Sequence, residues 1–183
     1  MVLDIEKEFK DNKTLLLLVP SVEYNHVVVD NMKKLAKEDV CYITLNKTFD
    51  SLKEIFEKNK IDISKVVFVD AISKTIKNVP TQTKGCYYLS APNSLTEISL
   101  QVSHFIKHGF DYIVFDSLTN LLIYQKKAPV AKFLSTIINK IADSNTKGVF
   151  YSLDSKAHEE LIEEASMFVD KVVKVEWVDT KLG

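Results

Sequence analysis

The chain has 183 residues, 46% of them hydrophobic and 27% charged, a size and balance that suit one globular domain burying about 70% of its unfolded surface. Lys and Arg number 24 against 25 Asp and Glu, for a net charge of -1. No field of one sign therefore covers the whole molecule to draw it onto nucleic acid or lipid. Every cation is a lysine, which excludes a bidentate guanidinium clamp and an arginine finger.

Apolar runs of strand length alternate with segments of helical period, the pattern of a mostly parallel α/β sheet covered by helices in three layers. In chain order, Thr14–Val19, Val40–Leu45, Val66–Val69, Cys86–Leu89, Asp111–Phe115 and Gly148–Leu153 read as buried strands. Each is short, nearly continuous and rich in Val, Ile, Leu, Tyr and Phe. Val172–Val178 alternates with charge and reads as an edge strand. The segment before the first strand, Met1–Lys10, is acidic and lacks an apolar core.

Between the strands, Tyr24–Lys37 gathers Val28, Met32, Leu35 and Ala36 on one side, and Phe49–Lys60 does the same with Leu52, Ile55 and Phe56. Asn93–His108 opens on Ser94 and Glu97, the spacing of a capping box, carries Leu95, Ile98, Val102, Phe105 and Ile106 as a stripe, and stops at Gly109. Pro129 suits the first turn of a helix whose Val130, Phe133, Leu134, Ile137, Ile138 and Ile141 keep the i, i+3, i+4 spacing. Ser155–Ala165 is a shorter last helix. Ala71–Gly85 and Leu118–Ala128 read as long connections, the first an irregular hairpin or a binding arm.

The four glycines are Gly85, Gly109, Gly148 and Gly183. A Walker A loop and a dinucleotide fingerprint both need glycines where backbone wraps phosphate, so neither is present. Cys41 and Cys86 lie inside apolar runs and read as buried reduced thiols. No run reaches the roughly 18 apolar residues of a membrane span, so the expected location is the cytoplasm, away from a membrane. No GxSxG elbow or exposed thiol marks a hydrolase.

In open parallel sheets, ligands sit beyond the carboxyl ends of the strands. There this chain offers Ser21, Glu23 and His26 after the first strand, Asn46, Lys47 and Thr48 after the second, and Asp70 after the third. Asp116 and Ser117 follow the fifth, and Asp154, Ser155 and His158 the sixth. Ser21, Thr48 and Ser155 also read as helix N-caps. His104 and His108 are spaced i, i+4, as two imidazoles sharing a metal would be, and read equally as surface histidines. Asp116 carries the most weight. It ends Tyr112-Ile113-Val114-Phe115-Asp116, four large apolar residues running into a carboxylate, as a Walker B strand does where it holds Mg²⁺.

The stretch Gly109–Leu122 resembles the corresponding segment of KaiC/RecA-like ATPase domains. The likeness extends to Val40–Leu45 as that family's second strand, to the helix Val130–Ile141 and to the strand Gly148–Leu153. Glu163–Val173 is similar to its closing F-x-D-x-V segment. The resemblance implies one RecA/KaiC-like domain over residues 1–183. It also exposes departures. Where the family carries its Gly-rich loop with Lys-Ser/Thr, this chain has Val19–Val27, which lacks both glycine and lysine and adds Glu23. Where the family commonly has acidic residues after its second strand, this chain has Asn46-Lys47, and an amide is a poor general base.

The resemblance therefore implies a pseudo-ATPase, an expected non-enzyme acting as a regulatory or protein-interaction module with a protein partner or a second copy of itself. Its degenerate nucleotide site would comprise Ser21, Glu23, Asn46, Asp116 and Ser117, with Asp116 either a remnant or a Mg²⁺ ligand. No cofactor is expected. One alternative is a sensor that binds Mg·ATP without turnover. Another is an accessory of a recombinase or DNA-repair ATPase that contacts nucleic acid or a partner through Lys74, Lys77, Lys84, Tyr124, Lys126 and Lys127, lysines that read equally as solvated surface.

Overall fold

The computed structural model describes residues 3–176. Its strands are β1 (Thr14–Val19), β2 (Val40–Thr44), β3 (Val66–Asp70), β4 (Gln82–Thr83), β5 (Cys86–Tyr88), β6 (Tyr112–Asp116), β7 (Lys147–Leu153) and β8 (Lys171–Lys174). They form one sheet in the order β4-β5-β3-β2-β6-β7-β1-β8. Every pairing is parallel except β4 with β5.

Strand side chains alternate between two cores. Leu15, Leu17, Tyr42, Phe68, Val114 and Tyr151 face one side, where α1 (Ile5–Asp11), α2 (Tyr24–Leu35) and α3 (Phe49–Lys58) pack. After the single turn of α4 (Ser73–Ile76), the helices α5 (Leu95–Lys107), α6 (Leu118–Tyr124), α7 (Lys127–Ala142) and α8 (Glu159–Ser166) cover Leu16, Ile43, Val69, Phe115 and Phe150 on the other. Burial on both faces is why the central strands read as continuous apolar runs rather than as alternation.

Three sequence expectations are corrected. Leu118–Ala128 is not a connection: α6 fills most of it, because Leu118 and Leu121, three apart, are both buried against the second core. Met1–Lys10 does have an apolar side, since Ile5 and Phe9, at i, i+4, bury α1 against the first core. Ser94 precedes α5 but makes no side-chain cap bond. Glu97 Oε2 instead accepts from the Ser90 backbone N–H at 3.1 Å, tying the helix to the strand exit.

Ala71–Gly85 holds α4 and β4 and forms an irregular hairpin with β5, which follows it, Gly85 supplying the φ of +84° that the reversal needs. Gly109, at φ +73°, ends α5 in the same left-handed region. Lys171–Lys174 forms the edge strand beside β1. Of the reading Val172–Val178, residues 177 and 178 lie outside the described residues. Asp170 of the closing segment has a structural task. Its Oδ2 accepts from the backbone N–H of Lys13 at 2.8 Å and of Thr14 at 3.0 Å, while its own N–H donates to Thr14 Oγ1 at 2.9 Å, which locks β8 onto the start of β1.

Candidate functional site

Thr44 at the end of β2 is in register with Asp116 at the end of β6, so the turn after β2 lies beside the carboxylate. The Asp116 backbone C=O accepts from Leu45 N–H at 2.7 Å and continues the ladder into that turn. The Asp116 side chain is only 1% exposed. A buried carboxylate is costly unless its oxygens find donors, and here they find three. Tyr24, the first residue of α2, donates its hydroxyl to Oδ1. The Asn46 side-chain amide donates to the same oxygen at 3.0 Å. Tyr42, from the middle of β2, donates to Oδ2 at 2.5 Å.

Both phenols are buried. Around them, the Tyr151 ring packs edge-on to Tyr24 with centroids 6.0 Å apart, and its hydroxyl accepts from the Asn31 amide at 2.8 Å. Tyr42 packs against Phe56 and Phe68, both at 5.7 Å. One polar network thus joins α2, β2 and β6 under the carboxyl edge of the sheet, and the separate Asn31–Tyr151 bond ties α2 to β7 beside it.

Burial pushes the Asp116 carboxyl above its ordinary range, and the Tyr24, Tyr42 and Asn46 bonds with the Lys47 charge offset part of that. Burial first, and the Asp116 charge second, hold both phenols well above the usual tyrosine value. Tyr24 and Tyr42 therefore stay protonated donors. With about four acceptor sites on a carboxylate, three are already used.

Of the residues expected at the site, the structure brings Asn46 and Asp116 into contact and sets Ser117 beside them. The Ser117 hydroxyl bonds instead within its own turn, to Thr119 Oγ1 at 2.7 Å and Asn120 Oδ1 at 2.5 Å. Ser21 is exposed in the β1–α2 turn, and Glu23 is the N-cap of α2 without a side-chain cap bond. Neither hydrogen-bonds to the Asp116 network. Ser21 is not a cap, whereas Thr48 and Ser155 are, accepting from Ser51 N–H at 3.2 Å and Ala157 N–H at 3.3 Å. Asp70 is saturated by the N–H groups of Phe49, Ile72 and Ser73 and by the Ser73 hydroxyl at 2.6–2.8 Å, so it builds the turn after β3. Cys41 and Cys86 are free and buried, and burial pushes the Cys86 thiol up to about 12.

The loop lysines do not gather. Lys74, Lys77 and Lys84 follow β3 while Tyr124, Lys126 and Lys127 follow β6, and β2 lies between those strands. Lys77 is paired with Asp50 at 2.8 Å, and Lys127 with Glu160 at 2.6 Å and Glu164 at 3.7 Å. Lys84 and Lys126 are exposed, and Tyr124 is 45% exposed. Neither His26, paired with Asp30 at 3.1 Å, nor His158, whose buried Nδ1 has no partner among the described residues, reaches Asp116.

The two tyrosines are what sequence reasoning missed. The available signal was Tyr42 itself, a phenol in the middle of a fully buried strand, whose hydroxyl must find a partner.

Residues 4–181 match the model of a family of unknown function, DUF7090. The chain belongs to this family. No curated protein matches the sequence. Among solved structures, the DUF7090 chain is similar to a KaiC-like protein from the hyperthermophilic archaeon Pyrococcus horikoshii OT3. The TM-score is 0.64 at 10% identity, over 93% of this chain and 74% of that one. At that identity the likeness establishes the fold: this DUF7090 member has a RecA/KaiC-like α/β architecture with a mostly parallel eight-stranded sheet. Among its described residues no helix is long and apolar enough to cross a membrane.

Proposed function

We propose that this chain is a non-catalytic RecA/KaiC-like module, a pseudo-ATPase of the P-loop class that acts through protein contacts with a partner or a second copy of itself. The observation that carries the reading is the enclosure of Asp116 by Tyr24, Tyr42 and Asn46. A carboxylate that serves a metal or a water must present an oxygen to it. Here both oxygens are turned into the protein and bound to protonated donors.

The donor set does not fit Mg²⁺. A hard cation wants several oxygen ligands in near-octahedral array, whereas among the described residues Asp116 is the one carboxylate of the network, and its neighbours donate protons rather than lone pairs. Tyr24 stands at the first turn of α2, where a phosphate-binding helix would expose its backbone N–H groups. Its buried ring and Glu23 before it replace the glycines and the lysine that such a loop requires. Asn46 uses its amide on Asp116 and offers no base for an attacking water.

The reading is tested by phosphate release from Mg·ATP with the wild type and Asp116→Asn in parallel. Both are expected at the background rate. Hydrolysis by the wild type that Asp116→Asn abolishes would overturn it.

A second reading, an accessory of a nucleic-acid ATPase, draws on the exposed Tyr124 beside exposed Lys126, a stacking surface next to a cation. It requires binding to single-stranded DNA or RNA that weakens steeply with salt. No binding at low salt would end it.

A further inference from the structure

Two imidazoles stand together at the C-terminal end of α5, His104 on its last turn and His108 at its cap, apart from the Asp116 network. His104 and His108 share one side of the helix, and their ring centroids lie 4.3 Å apart. Both are exposed. The bond that joins them is backbone only, His108 N–H to His104 C=O at 3.1 Å. The His104 ring is steadied edge-on by Phe105 at 5.2 Å and Tyr87 at 6.4 Å. His26, the other histidine with an i+4 neighbour, is instead held by Asp30.

We propose that His104 and His108 chelate one late first-row divalent cation, preferring Cu²⁺ and Ni²⁺ to Zn²⁺. Imidazole nitrogen suits all three metals, so geometry must separate them. A ring bound through nitrogen at about 2.0–2.1 Å places its centroid about 3.2 Å from the metal. For one nitrogen of each ring converging on a common ion, centroids 4.3 Å apart subtend about 85° there. This is close to the cis angle of about 90° in tetragonal Cu²⁺ and Ni²⁺ centres, and well short of the roughly 109° of a tetrahedral zinc site.

Among the described residues no third His, Cys, Asp or Glu completes a cluster. The remaining coordination positions therefore belong to water, and affinity rests on the two-ring chelate. The metal would link consecutive turns of α5 immediately before the left-handed Gly109 and hold the helix end closed. This site is independent of whether Asp116 binds anything.

The test is calorimetric titration of the full chain with CuCl₂, NiCl₂ and ZnCl₂ separately, each paired with a thermal melt. Saturable one-site binding is expected, with Tm rising in the order Cu²⁺, Ni²⁺, Zn²⁺ from largest shift to smallest. His104→Ala and His108→Ala should each weaken binding by at least about tenfold, while His26→Ala and His158→Ala retain it. Because both rings are exposed, the two variants should melt like the wild type in chelator, which separates lost binding from lost folding. The proposal is overturned by binding that survives the double variant, by no saturable binding up to millimolar metal, or by zinc giving the largest shift.

Discussion

Replacing Tyr42 with phenylalanine removes one hydroxyl and leaves the ring packed against Phe56 and Phe68. Among the described residues the lost bond is the only one to Asp116 Oδ2, so that oxygen is left buried without a donor from them. Hydrogen bonds to charged groups contribute about 1.5–3 kcal/mol, and an orphaned buried acceptor sits at the upper end of that range. For a domain of this size each kcal/mol moves Tm by about 2–4 °C, which puts Tyr42→Phe roughly 6–12 °C below the wild type.

The penalty depends on pH. The Asp116 carboxyl titrates above its ordinary value in the folded chain, so the folded state keeps this proton to higher pH than the unfolded state does. Stability from this group is present below the unfolded pKa and is lost as pH rises through the folded one. Removing a phenol donor raises the folded value further. The Tyr42→Phe deficit should therefore be larger at about pH 8 than at about pH 5 in chemical denaturation. Asp116→Asn, which deletes the buried charge, should flatten the difference between the two. A deficit equal at both pH values, or a Tyr42→Phe protein as stable as the wild type, would refute the assignment of Tyr42 as a donor to an ionised Asp116.

Further variants probe the frame that places the site. Gly148→Ala should cost about 1–3 kcal/mol, because a Cβ there would stand 3.0 Å from Ile141 Cδ1 and 3.3 Å from Phe150; urea unfolding measures it. Phe9→Ala should cost about 3–5 kcal/mol by leaving a cavity under α1, and an unchanged midpoint would show that α1 is not docked. Lys77→Ala and Lys127→Ala should leave Tm unchanged by differential scanning, since both pairs stand in solvent.

The sheet was legible because its central strands are buried on both faces, and continuous apolar runs mark such strands with little ambiguity. α6 was not, because Leu118, Leu121 and Leu122 give less than two turns of period, too short to distinguish from a connection. α1 was hidden for the same reason, with Ile5 and Phe9 its only buried residues. The capping box failed on geometry: Ser94 and Glu97 have the spacing, yet Glu97 reaches back to Ser90. Asp116 was legible from its strand. Its donors were not, since Tyr24 and Tyr42 lie 92 and 74 residues away in sequence, and no local pattern records that two phenols converge on one carboxylate. The departures from the nucleotide loop were visible only as missing glycine and lysine. That Tyr24 takes the first turn of α2 and closes on Asp116 is a tertiary fact.

The central claim is that Asp116 is enclosed and unavailable to Mg·ATP. Titration calorimetry of the wild-type chain with Mg·ATP, repeated on Asp116→Asn, tests it most directly. The account expects no binding heat from either protein up to millimolar nucleotide. Saturable binding to the wild type that Asp116→Asn eliminates would contradict it and make this carboxylate a working nucleotide site.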